Sequence, residues 1–358
     1  MYTFSFIFGF LIVIVITGML MINSYRQFIT MYRIFGKAKK RDLHKQPIPN
    51  SCGVVFLVST LFGVIILESF FDKTELIGYI VAGTLICIMG FWDDLKIINT
   101  YKKLIYQLLI ISFVVIHNDL EIQNLYGFLG IHELNPIVGS VFSVFIGVFM
   151  INSFNLIDGI DGLAGATAII SFVSFSIVFW IFDNKQDFGV CILMIGIILA
   201  YLPFNFSTKL KVFMGDSGAL FIGFVLFMMT MSVVNTTAPI AYNLTIERYV
   251  IPIIPLAIFI IPIVDTSSIY LYRILLGKSP FSADNLHLHH LFLLLTKSHL
   301  SATLTIISFN IVIIASFSLA VFKLNSIAFI TSYFVFLLCV FLLSIFLKYR
   351  YKTELNSC

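Results

Sequence analysis

The sequence contains few charged residues for its length. Asp, Glu, Lys and Arg make up only 11% of the 358 residues, whereas hydrophobic residues make up 59% and the mean hydropathy is +1.03. No soluble globular fold of this size could hide so much apolar surface, so a soluble domain is excluded. The polar stretches are also too short to fold by themselves. Residues 1–358 are therefore predicted to be one integral membrane domain.

Cysteine is scarce too, and basic residues form no block interleaved with aromatic residues. The five cysteines stand singly and mostly within apolar runs, without metal-like or redox-like spacing, so we interpret them as packing residues. The formal net charge of +4 predicts attraction to anionic membrane lipids and anionic substrates. The sequence gives no indication of a nucleic-acid partner.

Eleven apolar runs are long enough to cross about 30 Å of hydrocarbon, at about 20 residues each. They begin near residues 2, 53, 76, 103, 136, 163, 187, 214, 249, 300 and 325. The first run lacks a basic segment before it and a small-residue cleavage site, so it is predicted to be a retained helix. Residues 118–135, with Gly127 and Gly130, predict a small hairpin on the membrane surface. The predicted fold is an all-α polytopic membrane protein with about eleven transmembrane helices.

The positive charges predict the orientation of the chain. Seven Lys and Arg residues lie between Arg26 and Lys45, and by the positive-inside rule they place this loop in the cytoplasm and the N-terminus outside. Alternation across eleven spans then puts 18 of the 22 Lys and Arg residues inside. The C-terminus is predicted to be cytoplasmic.

Polar residues gather in four clusters, each at the end of a long apolar run. In chain order these are Asp93 and Asp94; Asn152, Asn155, Asp158 and Asp161; Phe213 to Asp216; and His287, His289 and His290. The predicted topology puts all four on the cytoplasmic side. Polar chemistry at that face, and hence an active site there, is predicted.

The carboxylate clusters suit anion and metal chemistry. Asp93 and Asp94 would point about 100° apart on a helix, so we predict separate roles, one as a base or metal-holding group and the other organising the site. Solvated interface charges are the alternative, and Lys103 is either a phosphate ligand or a positive-inside anchor. Asp216 opens a predicted helix and could hold Mg²⁺ together with Asn155, or simply cap its helix.

The second cluster has a period of three. On a helix, residues three apart are neighbours, so this spacing predicts a stripe of oxygen-bearing side chains that meets a polar ligand, or else packs against another helix. The histidines are predicted to lie in a loop and to bind phosphate or transfer protons rather than bind zinc, since no cysteine is near. Asp265 is predicted to pair with Arg273 or to stabilise a helix.

In this order, the clusters resemble those of the polyprenyl-phosphate N-acetylhexosamine-1-phosphate transferases. The likeness is greatest to the bacterial branch that primes O-antigen, enterobacterial common antigen and teichoic acid synthesis, and the matching blocks run from His44 to His290. The resemblance implies transfer of a sugar 1-phosphate, foremost N-acetylglucosamine 1-phosphate, from a UDP-N-acetylhexosamine to undecaprenyl phosphate. UMP would be released, and the protein would lie in the bacterial inner membrane.

The resemblance also implies a role for each matching residue. Mg²⁺, or Mn²⁺ in its place, would be held by Asn155 and Asp216, with Asp93 as the proposed base and Asp94 beside it. The other positions would bind substrates: Asp158, Asp161 and Phe213 the nucleotide; Lys103, His287, His289 and His290 the phosphates and sugar; and His44 and Asn152 elsewhere on the substrate side. A homodimer is implied by analogy.

Two positions depart from the family pattern. Cys52 stands before Gly53 where the family often has two glycines, and Asn285 and Leu286 stand where an arginine is common before the histidines. The missing cation bears on sugar specificity more than on the class of reaction.

Two other functions fit parts of the sequence. A phospho-MurNAc-pentapeptide transferase is the alternative within the class, and the spacing of the histidines argues against it. A transporter of nucleotide sugars or lipid-linked sugars is the alternative from another class, and it would place polar groups near the bilayer midplane rather than at one face.

Overall fold

The computed structural model describes residues 2–32, 48–68, 77–128, 130–236, 248–280 and 286–324, with four isolated positions nearer the C-terminus. These ranges contain twelve α-helices, a short 3₁₀ helix at Arg248–Val250 and a two-stranded hairpin. The helices are α1 (Tyr2–Tyr32), α2 (Gly53–Glu68), α3 (Ile77–Leu95), α4 (Thr100–His117), α5 (Pro136–Ile157), α6 (Leu163–Ile181), α7 (Lys185–Phe206), α8 (Gly215–Val234), α9 (Ile253–Ile258), α10 (Ile260–Leu275), α11 (Leu288–Thr296) and α12 (His299–Leu324).

The helical architecture is that of a multi-pass membrane protein. Eight of the described helices are long and apolar enough to cross a membrane, and α9 with α10 makes a ninth if this bent pair is one span. The shorter apolar helix α2 coincides with a further predicted span. The eleventh predicted span begins near residue 325, outside the ranges that the structure describes. The number eleven and the orientation therefore stay predictions.

Asparagine residues begin several of the helices. Asn99 precedes α4 and its side chain accepts a hydrogen bond from the backbone N–H of Tyr101, and Asn135 does the same for Ile137 at the start of α5. Pro136 at the first position of α5 suits a helix start, where its missing N–H would have no helical partner. Local sequence thus fixes where these spans begin.

Helices α9 and α10 are bent by 72° relative to each other at Phe259. Pro255 and Pro262 flank the break, and proline removes a helical hydrogen bond and collides with the preceding turn. The bend explains why one apolar run forms two helices.

Helix α8 forms the centre of the bundle. In an apolar 18-residue stretch of this helix, 94% of the residues are buried. The helix packs against α2, α3, α5 and α6. An apolar helix with no polar face is expected to be enclosed in this way. Gly223 permits close packing, because an added Cβ would lie 3.0 Å from Cα of Ile151 in α5.

The predicted hairpin is confirmed, and the regular elements in the rest of the described ranges are helical. Strand β1 (Asn124–Phe128) pairs antiparallel with β2 (Ile131–Glu133). Gly127 and Gly130 have φ values of +86° and +77°, which glycine adopts without steric cost.

The antiparallel packing brings three short connections to one end of the bundle. Helices α3, α5 and α7 end there, and α4, α6 and α8 begin there. We call this the site end. Three of the four predicted polar clusters lie at these connections.

Candidate active site

A lysine and two carboxylates from three helices form the centre of the site end. Nζ of Lys103, on α4, lies 2.8 Å from Oδ2 of Asp93 on α3 and 3.4 Å from Oδ2 of Asp216 on α8. The three side chains are only 12%, 8% and 13% exposed. Electrostatic interactions at such a site are stronger than on an exposed surface. We call these residues the carboxylate–lysine cluster.

The neighbouring Asp94 has different partners. Its Oδ1 accepts a hydrogen bond of 2.8 Å from the backbone N–H of Asp216, and its Oδ2 accepts one of 3.1 Å from that of Ser217. Asn50 donates its side-chain amide to the same carboxylate at 3.2 Å. Asp94 therefore binds the first turn of α8, whose N–H groups have no helical partner and whose dipole favours a negative charge. The N-cap of α8 is Met214, so Asp216 is not the capping residue.

Gly215 makes this junction possible. Its φ is +71°, and an added Cβ would lie 2.5 Å from both Oδ2 of Asp94 and Oδ1 of Asn50. A side chain at this position would therefore separate Asp94 from α8. Gly90 has a similar role one turn earlier on α3, because an added Cβ there would lie 2.5 Å from Cα of Ser217.

The segment before α2 packs directly on the entry to α8. Backbone N–H groups of Cys52 and Gly53 donate to the carbonyl groups of Phe213 and Met214 at 3.3 and 3.2 Å. An added Cβ on Gly53 would lie 2.2 Å from the backbone nitrogen of Gly218, so only glycine fits there. Cys52 is fully buried, and burial raises the pKa of its thiol above the usual range. The side chain at position 52 is thus accommodated, whereas one at 53 would not be.

The second predicted cluster does not form one helical stripe. Helix α5 ends at Ile157, Asp158 is its C-cap, and Asp161 lies in the turn before α6. The predicted helical stripe is therefore wrong beyond Asn155, because the chain turns at Asp158. The side chain of Asn155 is half-buried in the last turn of α5, and its pairing with Asp216 stays a prediction.

Asp161 contacts both the segment before α8 and the start of α12. Its Oδ2 lies 2.6 Å from Nζ of Lys211 and 3.2 Å from Nδ1 of His299, the first residue of α12. Thr303, one turn later, donates its hydroxyl to the carbonyl oxygen of Asp161 at 2.9 Å. Nζ of Lys211 also lies 5.5 Å from the ring centroid of Phe213, in a cation–π arrangement. Lys211 and His299 were missing from the predicted site.

Asn152 pairs with a residue that the sequence analysis missed. Its side-chain amide donates to Oε1 of Gln107 at 2.6 Å. Gln107 is fully buried on α4, one turn after Lys103, and therefore on the same face of that helix. Nε2 of Gln107 has no hydrogen-bond partner among the described residues. A buried amide with an unused donor is a feature that a polar ligand could complete.

The histidines lie at a helix start rather than in a loop. His287 is the N-cap of α11, and His289 and His290 belong to its first turn. Nδ1 of His287 lies 2.9 Å from Oδ2 of Asp265, so Asp265 binds a histidine and α11 in addition to any role within its own helix. Nε2 of His289 lies against Gly159, where an added Cβ would be only 2.0 Å away. The fourth cluster therefore contacts the second.

The structure brings the four predicted clusters to one end through two groups of contacts. One is the carboxylate–lysine cluster with Asp94, and the other joins the α5–α6 turn to Lys211, α12 and the histidines. His44 lies outside the described residues. Lys102, which adjoins Lys103 in sequence, is exposed.

These features define a polytopic membrane protein with carboxylates, lysines and histidines converging at one end of its helices. The model of glycosyl transferase family 4 matches residues 76–234 of the chain. The resemblance predicted from the motifs is thereby confirmed.

Named relatives extend the match over most of the chain. A decaprenyl-phosphate N-acetylglucosaminephosphotransferase of Mycolicibacterium smegmatis is 27% identical over 75% of this chain and 70% of its own. An undecaprenyl-phosphate alpha-N-acetylglucosaminyl 1-phosphate transferase of Escherichia coli O157:H7 is 28% identical over 74% of this chain and 73% of its own. The protein of the same name from Salmonella typhi is 27% identical over 71% and 68%.

Proposed function

We propose that the protein transfers N-acetylglucosamine 1-phosphate from UDP-N-acetylglucosamine to undecaprenyl phosphate. A phosphate oxygen of the lipid would bond to the β-phosphorus of the donor, and the bond from that phosphorus to UMP would break. The products are UMP and a lipid diphosphate sugar, which would prime a cell-envelope polysaccharide. The contact of Lys103 with Asp93 and Asp216 carries this proposal, because it gathers a cation and two carboxylates where phosphates would meet.

The carboxylate–lysine cluster fits a divalent cation. Asp93, Asp94 and Asp216 bring three carboxylates together, whereas Lys103 supplies one positive charge. Mg²⁺ binds through one or two carboxylates with phosphate oxygens and water. Among the described residues, no three His, Cys, Asp or Glu side chains are arranged around a common metal position, so such a site would depend on the substrate's phosphates.

We assign the metal to Asp216 and Asn155. When bound, Mg²⁺, or Mn²⁺ in its place, would neutralise charge on the transferred phosphoryl group. Asp93 would serve as the base at the lipid phosphate, held by Lys103 and by the backbone N–H of Ile98, which donates to Oδ1 at 2.7 Å. Asp94 would hold the first turn of α8 and thereby position Asp216.

An apolar cavity beside the site supports a lipid acceptor. It has a volume of about 550 Å³ and lies between α4 and α5, with Tyr270 of α10 also lining it. Asn152 lies in its wall, and Asn152 pairs with Gln107, one turn from Lys103. An isoprenoid chain in this cavity would keep its phosphate close to the carboxylate–lysine cluster while its tail stays in hydrocarbon.

The second group of contacts would hold the donor. Asp158, Asp161 and Phe213 are the positions assigned to the nucleotide, and Lys211 joins them through its contacts with Asp161 and the Phe213 ring. The histidines beside Gly159 would bind the diphosphate and sugar.

The proposed setting is the bacterial inner membrane, with the site end at the cytoplasmic face, the N-terminus outside and the C-terminus inside. The predicted 18 of 22 Lys and Arg residues on the cytoplasmic side support this orientation. A water-soluble nucleotide sugar would then reach the site directly. A homodimer is proposed only by analogy with relatives.

The two alternatives are not favoured. The named relatives are N-acetylglucosamine phosphate transferases, which speaks against a MurNAc-pentapeptide donor. The polar clusters converge at one end of the helices, whereas a transporter would line a path across the bilayer.

The test is transfer of label from radiolabelled UDP-N-acetylglucosamine into the lipid extract of proteoliposomes that contain the purified protein. Label in the lipid that requires both undecaprenyl phosphate and Mg²⁺ is expected. Transfer from UDP-MurNAc-pentapeptide instead would favour the alternative transferase. Folded protein that labels no lipid from any UDP-N-acetylhexosamine would overturn the proposal.

A further inference from the structure

Asp265 is a buried carboxylate within an apolar helix. It lies in the second turn of α10, and the residue is only 3% exposed. Burying a carboxylate costs free energy unless the group is hydrogen-bonded or paired. Its partners therefore indicate what the side chain is for.

Each oxygen of Asp265 has a partner at the start of α11. Oδ2 lies 2.9 Å from Nδ1 of His287, and Oδ1 accepts a hydrogen bond of 2.9 Å from the backbone N–H of Leu288. The side chains of Asp265 and His287 are 4% and 7% exposed. This geometry excludes water from most of the pair.

Asp265, a residue of α10, caps the start of α11. His287 occupies the N-cap position but makes no capping hydrogen bond with its own side chain. The carboxylate of Asp265 instead receives the free N–H of Leu288, and its charge suits the positive end of the helix dipole. One side chain thus fixes both the start of α11 and the ring of its N-cap residue.

The same contact determines which ring nitrogen of His287 carries the hydrogen that Asp265 accepts. An ionised carboxylate only accepts hydrogen bonds, so Nδ1 carries a hydrogen and donates it to Asp265. Nε2 points away from Asp265. When the ring is protonated, both nitrogens donate, Nδ1 to Asp265 and Nε2 to whatever lies beyond.

The ring of His287 lies beside a histidine that contacts the donor-binding turn. The centroids of His287 and His289 are 5.5 Å apart, with 13° between the ring planes. Nε2 of His289 lies against Gly159, between Asp158 and Asp161. The paired rings therefore border the α5–α6 turn.

We propose that Asp265 is a positioning residue that holds His287, in its imidazolium form, so that Nε2 donates a hydrogen bond to the diphosphate of the sugar nucleotide. The inference rests on the proposed function, and it adds a residue to which the sequence analysis gave only a structural role. Asp265 itself touches no substrate and acts through His287.

A purely structural Asp265 would behave differently from a positioning residue. If it only joined α10 to α11, its replacement would weaken the binding of every nucleotide to the same extent. If it orients His287 toward the diphosphate, its replacement affects ligands with a β-phosphate and spares UMP, which has none. UDP-N-acetylglucosamine and UMP therefore separate the two roles.

The experiment measures the affinity of purified, detergent-solubilised protein for both nucleotides. Asp265→Asn keeps the size of the side chain but leaves a single acceptor oxygen for two donors. We expect its Kd for UDP-N-acetylglucosamine to rise about 10- to 100-fold, the range seen when the carboxylate partner of a metal-ligating histidine is removed. The Kd for UMP is expected to stay within about twofold.

A second variant tests whether Asp265 acts through the ring. When His287→Gln is already present, adding Asp265→Asn is expected to cause no further loss of affinity for UDP-N-acetylglucosamine. Asp187→Asn, at the other end of the bundle, is the matched control and should leave both affinities unchanged. Thermal unfolding of each variant checks that it is folded.

The outcomes separate this proposal from the proposed function. Wild-type protein that binds neither nucleotide would overturn both. If the wild-type protein binds both nucleotides and Asp265→Asn weakens the binding of both equally, only the positioning role is overturned. Additive effects of Asp265→Asn and His287→Gln on the affinity for UDP-N-acetylglucosamine would also overturn that role alone. If Asp265→Asn does not fold, the same two affinities are measured for His287→Gln. A ratio of the two Kd values equal to that of the wild-type protein would then overturn the role.

Discussion

The two ends of α8 each lie near a carboxylate, and their surroundings differ. At the site end, Asp216 shares Lys103 with Asp93, and Asp94 binds the same turn. About 24 Å away along the helix, Ser232 donates its hydroxyl to Asp187.

The other partner of Asp187 lies at the start of its own helix. Asn184, three residues earlier, donates its side-chain amide at 2.7 Å, and its own side-chain oxygen accepts from the backbone N–H of Asp187 at 3.1 Å. Asn184 thus caps this helix start, and the bond between the two side chains adds a second link. Asp187 also borders a cavity of about 520 Å³, and among the described residues that line it there is no Lys, Arg or His.

The comparison teaches that a carboxylate at a helix start does not by itself indicate a site. Asp187 is bound by neutral partners, Asn184 of its own helix start and Ser232 of α8. The carboxylate–lysine cluster instead joins charged side chains from three helices and has more negative than positive charge. Placing like charges close together destabilises the folded protein. Binding of a ligand that needs those charges explains why the cluster contains them.

The largest expected effect is that of Asp216→Asn, which removes the charge but keeps the shape. Transfer of sugar phosphate is expected to fall by at least about 100-fold, because a group that stabilises charge in a phosphoryl transfer is lost. Label incorporated into lipid measures it.

Asp187→Asn is the matched control at the other end of α8. It should leave the rate within about twofold and cost about 1 to 2 kcal/mol of stability at most. Equal losses of activity in both variants would break the distinction between the two ends.

Lys103→Met is expected to have the next largest effect. It leaves Asp93 and Asp216 without their shared ammonium group, so both substrate affinity and rate should fall, by about 10- to 100-fold in kcat/KM. Lys102→Met is the control, since Lys102 is exposed one residue earlier. If the two substitutions have the same effect, then the lysines are interchangeable surface charges and the cluster has no special role.

The smallest expected effect on rate is that of Gly159→Ala. The new Cβ would occupy the position of the His289 ring, so we expect the ring to move and the KM for the donor to rise about tenfold. Gly9→Ala, which has open space around it, should change nothing in the donor's KM. Steady-state kinetics at varied donor concentration decide this, and an unchanged KM in Gly159→Ala would argue against a donor site beside the histidines.

Much of the fold could be predicted because long hydrophobic runs by themselves indicate membrane-spanning helices. Helices α5, α6 and α8 begin within a residue or so of the predicted positions, since the runs end at glycines, prolines and asparagines that also end or cap helices. The bend between α9 and α10 was not predicted, although its prolines are visible in the sequence.

The clusters of the site could be predicted, but most of their partners could not. Asp161 meets His299 across 138 positions, and Asn152 meets Gln107 across 45. Such pairs depend on how the helices pack, and a glutamine or histidine in an apolar helix gives no signal of its own. The sequence predicts that Asp265 pairs with Arg273 or stabilises its own helix, whereas the packing of α11 brings His287 to it.

The most direct test of the central claim is exchange of radiolabelled UMP into UDP-N-acetylglucosamine by the purified protein. Exchange that requires undecaprenyl phosphate and Mg²⁺ and is lost in Asp216→Asn is the predicted result, because the reverse transfer would use the same site. The account would be contradicted by folded wild-type protein that exchanges UMP with no UDP-N-acetylhexosamine. Undiminished exchange in Asp216→Asn would equally contradict it.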